Sequence, residues 1–181
     1  GSVLLDDSGL GNNANIQGRA SWESGVDGLA LKLVSKRYAL VPDHPSLNVS
    51  NAITITGWIK PDRQATAYVI RKGINNSIDG YELSLANNGL VFFRINQASS
   101  GDTYRLNSLT SYPSNGNTWM HIAATYDGSV AKVYINGVEN ASATFNAPPP
   151  INENNLALGI GAQSDGGRNF RGALDDVRVY S

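Results

Sequence analysis

The sequence of 181 residues contains no cysteine, so a scaffold that depends on disulfides is excluded. No apolar run approaches the length of a membrane-spanning helix, and insertion into a bilayer is not expected. Charged residues make up only 16% of the chain, and the formal net charge is −1. A basic surface for phosphate backbones or anionic lipids is therefore not predicted, and nucleic acid is not an expected partner.

Glycine is frequent, with 19 residues, and apolar residues make up 41%, a balance typical of short strands joined by many turns. The clearest local signal lies in residues 119–145, where Asp127-Gly128 and Asn136-Gly137 separate three segments of alternating apolar and polar residues. Both dipeptides fit two-residue hairpin turns, whose two central positions need positive φ. The segment therefore predicts a three-stranded antiparallel meander.

Six further segments have the length and alternation of β-strands, and no stretch of ten or more residues has helical periodicity with caps. These segments are residues 52–59, 67–71, 81–86, 90–95, 156–159 and 172–180. The chain length fits one domain over residues 1–181, which would bury roughly 70% of its unfolded surface. The predicted fold is all-β, a two-sheet antiparallel β-sandwich.

Four stretches of the sequence resemble the laminin-G-like domains of the concanavalin-A-like lectin/glucanase superfamily. They are residues 6–14 (DDSGLGNNA) followed by Gly25 and Gly28-Leu29-Ala30-Leu31, residues 53–61 (ITITGWIKP), residues 119–128 (WMHIAATYDG) continuing to Tyr134-Ile135-Asn136-Gly137, and residues 170–180 (FRGALDDVRVY). The resemblance covers nearly the whole chain and implies a jelly roll. It says less about the ligand, because the family includes adhesion domains, glycan-binding domains and modules appended to enzymes.

The resemblance also implies that the first and last strands lie side by side, which would bring Asp6-Asp7 close to Asp175-Asp176. Four carboxylates in one place repel each other unless a cation intervenes. Ca²⁺ takes about 6–8 oxygen ligands, and the turn around Asn12 offers amide and backbone oxygens. We therefore expect a structural calcium ion held mainly by Asp6, Asn12 and Asp175, with Asp7 and Asp176 as further candidates.

An alternative without metal remains open at this stage. Asp6 and Asp7 are also good turn formers, and Asp176 has arginine neighbours, Arg178 and Arg171, with which it can pair. A calcium loop of the EF-hand type is excluded, because the spacing of oxygen-bearing residues after Asp6 does not match.

Strand alternation predicts a candidate ligand-binding face. If Ile70, Phe93 and Ile95 point to the core, the neighbouring side chains point to the opposite face. The residues expected there are Arg71, Glu82, Phe92, Arg94, Tyr104 and Arg105. Guanidinium groups bind carboxylates and sulfates in a bidentate way, so such a cluster suits an acidic polysaccharide. The alternative is an ordinary solvated face on which Glu82 pairs with one arginine.

Two polar loops, residues 75–79 and 163–169, are candidate rims for recognition or simple connections. The three tryptophans, Trp22, Trp58 and Trp119, lie in or beside the core-forming stretches, so core packing is expected rather than stacking against a sugar.

No paired carboxylates of the Glu-x-Asp-x-x-Glu kind occur, and the four glutamates are scattered. Neither histidine has a nucleophile or a partner acid at a recognisable spacing, and no enzymatic activity is expected. Gly1-Ser2 is typical of a cloning remnant, which predicts that the chain is a piece of a larger protein.

The sequence therefore favours a non-catalytic, calcium-containing carbohydrate-binding module of an extracellular bacterial protein, with a polysaccharide and the other domains of the parent protein as partners. A protein-binding or adhesion domain of a cell-surface protein is the second hypothesis. A polysaccharide lyase or glycoside hydrolase of the same fold is the third.

Overall fold

A computed structural model describes residues 3–19 and 21–181. Gly1, Ser2 and Ala20 lie outside the described residues. The prediction that Gly1-Ser2 is a cloning remnant therefore concerns residues that the structure does not describe. The described residues form β1 (Val3–Leu4), β2 (Ala14–Gln17), β3 (Trp22–Ser24), β4 (Leu29–Leu33), β5 (Tyr38–Val41), a 3-10 turn (Pro45–Leu47), β6 (Ile53–Pro61), β7 (Ala67–Ile74), β8 (Ile78–Leu85), β9 (Leu90–Ile95), α1 (Gln97–Ser100), β10 (Arg105–Ser111), β11 (Met120–Tyr126), β12 (Val130–Ile135), β13 (Val138–Thr144), β14 (Leu158–Ile160) and β15 (Gly172–Tyr180). Among them, no helix has the length and apolar character needed to cross a membrane.

The strands form two antiparallel sheets that pack as a sandwich, which confirms the predicted fold class. One sheet has eight strands in the order β1-β2-β5-β14-β7-β8-β9-β10. The other has seven strands in the order β13-β12-β11-β6-β15-β4-β3. The predicted meander is present as β11, β12 and β13 at one edge of the seven-stranded sheet.

The core lies between the sheets, and β6 shows how the sequence builds it. Ile53, Ile55 and Ile59 are buried, whereas Thr54 and Trp58, which alternate with them, are partly exposed. A period of two is what a strand with one buried face requires. Burial of alternate residues on both sheets supplies most of the favourable free energy of folding.

The two predicted hairpin turns differ in structure. Asn136 and Gly137 both have positive φ, 50° and 80°, as predicted for a two-residue turn. At the other turn only Gly128 has a positive φ, of 97°, and Asp127 uses its side chain instead. Its Oδ1 accepts the amides of Ser129 (2.9 Å) and Val130 (2.7 Å), which closes a longer loop. The prediction of a two-residue turn at Asp127-Gly128 is therefore wrong.

The expectation that the three tryptophans belong to the core is also wrong. Trp22 is 40% exposed, near one edge of the seven-stranded sheet. Trp58 lies on the outer face, with the edge of its ring against His121 at 5.1 Å between centroids. Trp119 is half-buried, with the Lys60 ammonium group 4.8 Å from its ring centroid. Phenylalanine, tyrosine and aliphatic side chains fill the space between the sheets instead.

Candidate functional site

Most of the side chains predicted for a ligand-binding face lie on the outer side of β7, β8 and β9. Leu83 and Phe93 point into the core, and Glu82 and Arg94, which alternate with them, point outward. A register shift in β7 sends two consecutive residues, Val69 and Ile70, to the core. Tyr68 and Arg71, which flank that pair, therefore share the outer face, with the guanidinium 4.6 Å from the tyrosine ring centroid.

Three charged side chains form a buried triad on this face: Arg71, Glu82 and Arg94. Glu82 is only 1% exposed, and its Oε1 accepts hydrogen bonds from Arg71 Nη1 at 2.6 Å and Arg94 Nε at 2.7 Å. Ser84 Oγ donates to the other oxygen, Oε2, at 2.9 Å. The carboxylate thus has partners on both oxygens, which offsets part of the large cost of removing it from water.

The aromatic ring of Phe92 is covered by two arginines. The guanidinium of Arg105 lies 3.9 Å from the ring centroid, and that of Arg94 lies 5.2 Å from it. Phe92 is 2% exposed as a result. The ring therefore supports the arginines and does not offer a free face for a sugar.

Asp102 joins the triad to Arg105. Its carboxylate contacts Arg94 Nη1 through Oδ1 and lies 3.4 Å from Arg105 Nη1 through Oδ2. Partial burial opposes the charge of Asp102, but the hydrogen bond and charge of Arg94, followed by those of Arg105, outweigh it and lower the pKa of the carboxyl. Burial likewise opposes the charge of Arg94, but Glu82 and Asp102 raise the pKa of its guanidinium above the ordinary value.

Three connecting segments, residues 75–77, 97–102 and 163–169, cover this face. Gln97 Oε1 accepts the backbone amide of Asn76 at 2.6 Å and Arg71 Nη2 at 3.4 Å. The backbone amide of Tyr68 donates to the carbonyl of Arg168 at 3.2 Å. Arg71, Glu82 and Arg94 are consequently buried beneath these segments, and Glu82 pairs with two arginines rather than with the one that the sequence alternative expected.

A polar pocket of about 380 Å³ opens between these segments. Its lining is rich in amides and contains three arginines, of which Arg94 is buried and Arg168 is exposed. The lining residues are Thr66, Asn75, Asn76, Ala86, Asn87, Phe92, Arg94, Gln97, Gly101, Asp102, Arg105 and Arg168. A pocket of this volume with convergent polar groups has the size of a small-molecule site.

Three of the six residues predicted for ligand binding, Phe92, Arg94 and Arg105, line this pocket. Arg71 and Glu82 lie behind it in the buried triad, and Tyr104 lies on the other side of the sheet. Tyr104 packs against Phe145 with 5.6 Å between ring centroids, on the core side of the sheet. Strand alternation had the signal for this, because Tyr104 and Leu106 share one side of the chain and Arg105 takes the other. Arg168 and Asn75, absent from the predicted set, lie in the two loops that the sequence marks as polar rims.

The structure does not bring the predicted calcium ligands together. β1 pairs with β2 at the edge of the eight-stranded sheet, whereas β15 lies between β6 and β4 in the other sheet. The expectation that the first and last strands are neighbours is therefore wrong. Among the described residues, no three of the histidine, aspartate and glutamate side chains gather in a way that could hold a metal ion.

Asp175 and Asp176 have partners of their own. Asp175 accepts the backbone amides of Val26 at 2.7 Å and Asp27 at 3.1 Å, so it clamps the turn between β3 and β4. Asp176, with a φ of 46°, pairs with Arg178 Nε at 2.7 Å, which is the alternative considered from the sequence. Asp7 is exposed.

The entry turn itself is organised by Asp6. Its carboxylate accepts Ser8 Oγ at 2.7 Å and the backbone amide of Asn12 at 2.9 Å. Asn12 Nδ2 donates to Ser46 Oγ, and Asn12 Oδ1 is buried without a hydrogen-bond partner. A buried amide oxygen without a hydrogen-bond donor is a suitable ligand for a hard cation such as Ca²⁺. This oxygen is the single feature of the entry turn that favours a cation.

The comparison with known families agrees with this fold. A laminin-G family model, described as the concanavalin A-like lectin/glucanases superfamily, matches residues 34–181. The chain therefore belongs to this family.

Two relatives from animals are similar in sequence. Adhesion G-protein coupled receptor V1 of Danio rerio is 24% identical over 136 residues, and human usherin is 25% identical over 140 residues. These alignments cover 71% and 75% of this chain but only 2% and 3% of the relatives. The chain thus corresponds to a small part of either protein.

Solved structures with the same fold include bacterial toxin and enzyme domains. The binding domain of Paraclostridial Mosquitocidal Protein 1 has a TM-score of 0.77 and 22% identity, covering 97% of this chain and 45% of that one. Domain 4 of AbnA, an extracellular arabinanase from Geobacillus stearothermophilus in complex with arabinotriose, has a TM-score of 0.74, 23% identity and coverage of 98% and 86%. A botulinum neurotoxin type C structure, described as dependent on two ganglioside molecules for cell entry, has a TM-score of 0.71, 16% identity and coverage of 97% and 44%.

Proposed function

We propose that this chain is a glycan-binding module whose ligand occupies the polar pocket on the outer face of β7, β8 and β9. The observation that carries this proposal is the combination of an open, amide-rich pocket with a buried triad that supports one of its walls. Buried ion pairs seldom increase stability over apolar packing, so their presence behind a pocket favours a role in positioning other groups. Here the group positioned is the Arg94 guanidinium.

The chemistry of the lining suits sugar hydroxyls. The lining includes the amide side chains of Asn75, Asn76, Asn87 and Gln97, and an amide group, like a sugar hydroxyl, can both donate and accept hydrogen bonds. Gln97 Nε2 already donates to Asn76 Oδ1, and Tyr68 Oη donates to Asn75 Oδ1, so the second lone pairs of these oxygens and the NH₂ groups of Asn75, Asn76 and Asn87 are the groups left for a ligand. Arg168 lines the pocket and forms no salt bridge within residues 3–19 and 21–181. It is therefore the guanidinium with the greatest freedom to bind a ligand.

Two structural neighbours support this class of ligand. The Geobacillus domain was solved with arabinotriose, and the type C neurotoxin is described with gangliosides. Their identity to this chain is below 25%, so they support the use of the fold for glycans and do not identify the sugar. An extracellular location is consistent with both, and we extend the proposal to a secreted or surface protein.

The finer prediction of an acidic polysaccharide has fewer arginines to support it than the sequence indicated. Glu82 takes Arg71 and shares Arg94, so these two do not offer free charge to the pocket. Arg105 lies 3.4 Å from the Asp102 carboxylate, which leaves Arg168 as the pocket arginine without a salt bridge among the described residues.

We also infer that the module is not catalytic. Glycoside hydrolysis needs an acid and a second carboxylate, both facing the glycosidic bond. Glu82 is enclosed by two arginines and Ser84, and Asp102 is held between Arg94 and Arg105. Neither carboxylate in this network is placed to donate or accept a proton from a ligand.

Arg168→Asn tests the pocket, because asparagine tolerates the φ of 50° at this position but lacks the guanidinium. On a glycan array followed by calorimetry with the best ligand, we expect roughly tenfold weaker binding, since a hydrogen bond to a charged group contributes about 1.5–3 kcal/mol. Arg178→Ala, on the exposed face of β15, is the matched control and should bind as the native chain does. Equal affinities for the native chain and Arg168→Asn would count against the pocket.

A protein-binding or adhesion role is the second candidate, favoured by the similarity in sequence to the zebrafish adhesion receptor. This role predicts that the native chain binds no glycan on the array. It also predicts that the native chain binds a purified protein partner and that Arg168→Asn binds the same partner equally well.

We restrict the proposed calcium site to the entry turn, because Asp175 already accepts the backbone amides of Val26 and Asp27. A cation there would be held by Asp6 and Asn12, and binding to the folded state alone would raise the melting temperature. We expect EDTA to lower the melting temperature of the native chain and calcium to restore it. Asn12→Ala should remove the calcium response, whereas Asp175→Asn should lose stability equally with and without calcium. No response of the native chain to EDTA would remove calcium from the proposal.

A further inference from the structure

The charges behind the pocket wall do not balance within the buried triad. Two guanidinium groups, those of Arg71 and Arg94, share a single oxygen of Glu82. One positive charge is therefore left over, and it lies on the side of Arg94 that faces the pocket. A buried surplus charge is costly unless an anion approaches it.

Asp102 provides that anion from the solvent side. Its side chain is 63% exposed, whereas the side chain of Arg94 is 8% exposed, so the carboxylate reaches a buried guanidinium across the pocket opening. The same carboxylate lies 3.4 Å from Arg105, which covers the Phe92 ring. An acidic group of a bound sugar would need this same position between two guanidinium groups to gain bidentate contacts.

The segment that carries Asp102 is a short turn after α1. The backbone amides of Gly101 and Thr103 donate to the carbonyls of Gln97 at 2.9 Å and Ser100 at 3.1 Å. Asp102 itself has no strand pairing, because β10 begins at Arg105. The turn therefore places the backbone of Asp102, and the ion pairs with Arg94 and Arg105 orient its carboxylate.

We propose that Asp102 is a specificity-determining residue of the glycan pocket: it fills the carboxylate position on Arg94 and Arg105, and so disfavours acidic sugars relative to neutral ones. This inference rests on the proposed glycan function. A ligand carboxylate must displace Asp102 before it can bind both arginines, whereas a neutral sugar binds the amides and Arg168 without displacing it.

Asp102→Asn tests the inference, because the amide keeps the shape of the side chain and removes its charge. The probes are oligosaccharides that end in glucuronate or galacturonate, each compared with its neutral glucose or galactose counterpart by array and calorimetry. We expect the ratio of acidic to neutral affinity to rise about tenfold in Asp102→Asn. In this variant a ligand carboxylate displaces a neutral amide from Arg94 and Arg105, and hydrogen bonds to charged groups are the stronger ones. Addition of Arg105→Ala to this variant should cancel the gain.

A general effect of net charge is separated by Glu153→Gln, which removes one negative charge from an exposed loop residue outside the pocket lining. This control should leave the ratio unchanged. If both the native chain and Asp102→Asn bind sugars and their ratios of acidic to neutral affinity are equal, the inference about Asp102 is overturned and the glycan function stands. If neither protein binds any probe while both show the same unfolding transition, the proposed function fails and the inference with it.

Discussion

Glu82→Gln is expected to lower the free energy of unfolding by about 3–5 kcal/mol, because removal of one partner from a buried ion pair leaves an uncompensated charge. In this chain two guanidinium groups lose their shared anion at once, since both lie within hydrogen-bond distance of Oε1. Glutamine keeps the volume of the side chain, so the loss reflects charge and not a cavity. Denaturation in urea at fixed pH and salt measures it.

The matched control for this experiment is Glu139→Gln. Glu139 pairs with Lys132 at 2.8 Å, but both side chains are more than a third exposed. Exposed pairs contribute about 0–1 kcal/mol, so this variant should unfold nearly as the native chain does. A similar small loss for Glu82→Gln would show that the buried triad is accessible to water, and it would weaken the argument that the triad positions Arg94.

Gly80→Ala is expected to destabilise the chain by roughly 3 kcal/mol or more, through backbone strain together with overpacking. Gly80 has a φ of 147°, and a Cβ at this position would lie 1.8 Å from the carbonyl oxygen of Lys72 on the neighbouring strand. The oxygen belongs to the backbone, so relief requires β7 and β8 to move apart. Equilibrium unfolding, or loss of soluble protein on expression, records the effect.

Gly101→Ala separates the two causes. Gly101 also has a positive φ, of 59°, but no atom lies within 4 Å of its Cβ position. Only the backbone term applies there, and with a ψ of −124° Gly101 lies in a sparsely populated region outside the left-handed helical one, where an alanine costs about 1–3 kcal/mol. Equal losses for the two alanine variants would contradict the close approach of Lys72 to Gly80.

The strands with the best sequence signals were predicted closely. Leu90–Ile95 and Gly172–Tyr180 have the predicted bounds, and the predicted outward direction of Glu82 and Arg94 is confirmed. The direction was predictable because Glu82 stands between Tyr81 and Leu83, and Arg94 between Phe93 and Ile95. By contrast, β1 to β5 have two to five residues each, too few to show a period, and their existence depends on pairing with strands distant in sequence.

The depth of the candidate site was not predictable from the sequence. The alternation of residues in a strand shows on which side of the sheet a side chain lies, but not which segments cover that side. Here the cover consists of residues 75–77, 97–102 and 163–169, which come from three separate parts of the chain. Arg71 and Arg94 were therefore expected at a surface and instead are buried. The expected meeting of Asp6 with Asp175 was wrong for a related reason, because it assumed that the first and last strands are neighbours, which the sheet order excludes.

The burial of β8 on both faces makes this strand a rigid base for the pocket. From Tyr81 to Leu85 every residue is buried, whichever side of the sheet it points to, whereas β6 alternates between buried and partly exposed residues. This strand has dry packing above and below it, so its opening requires loss of both layers at once. A ligand would thus meet a rigid base with adjustable loops around it, and the entropy lost on binding would come from the rim alone.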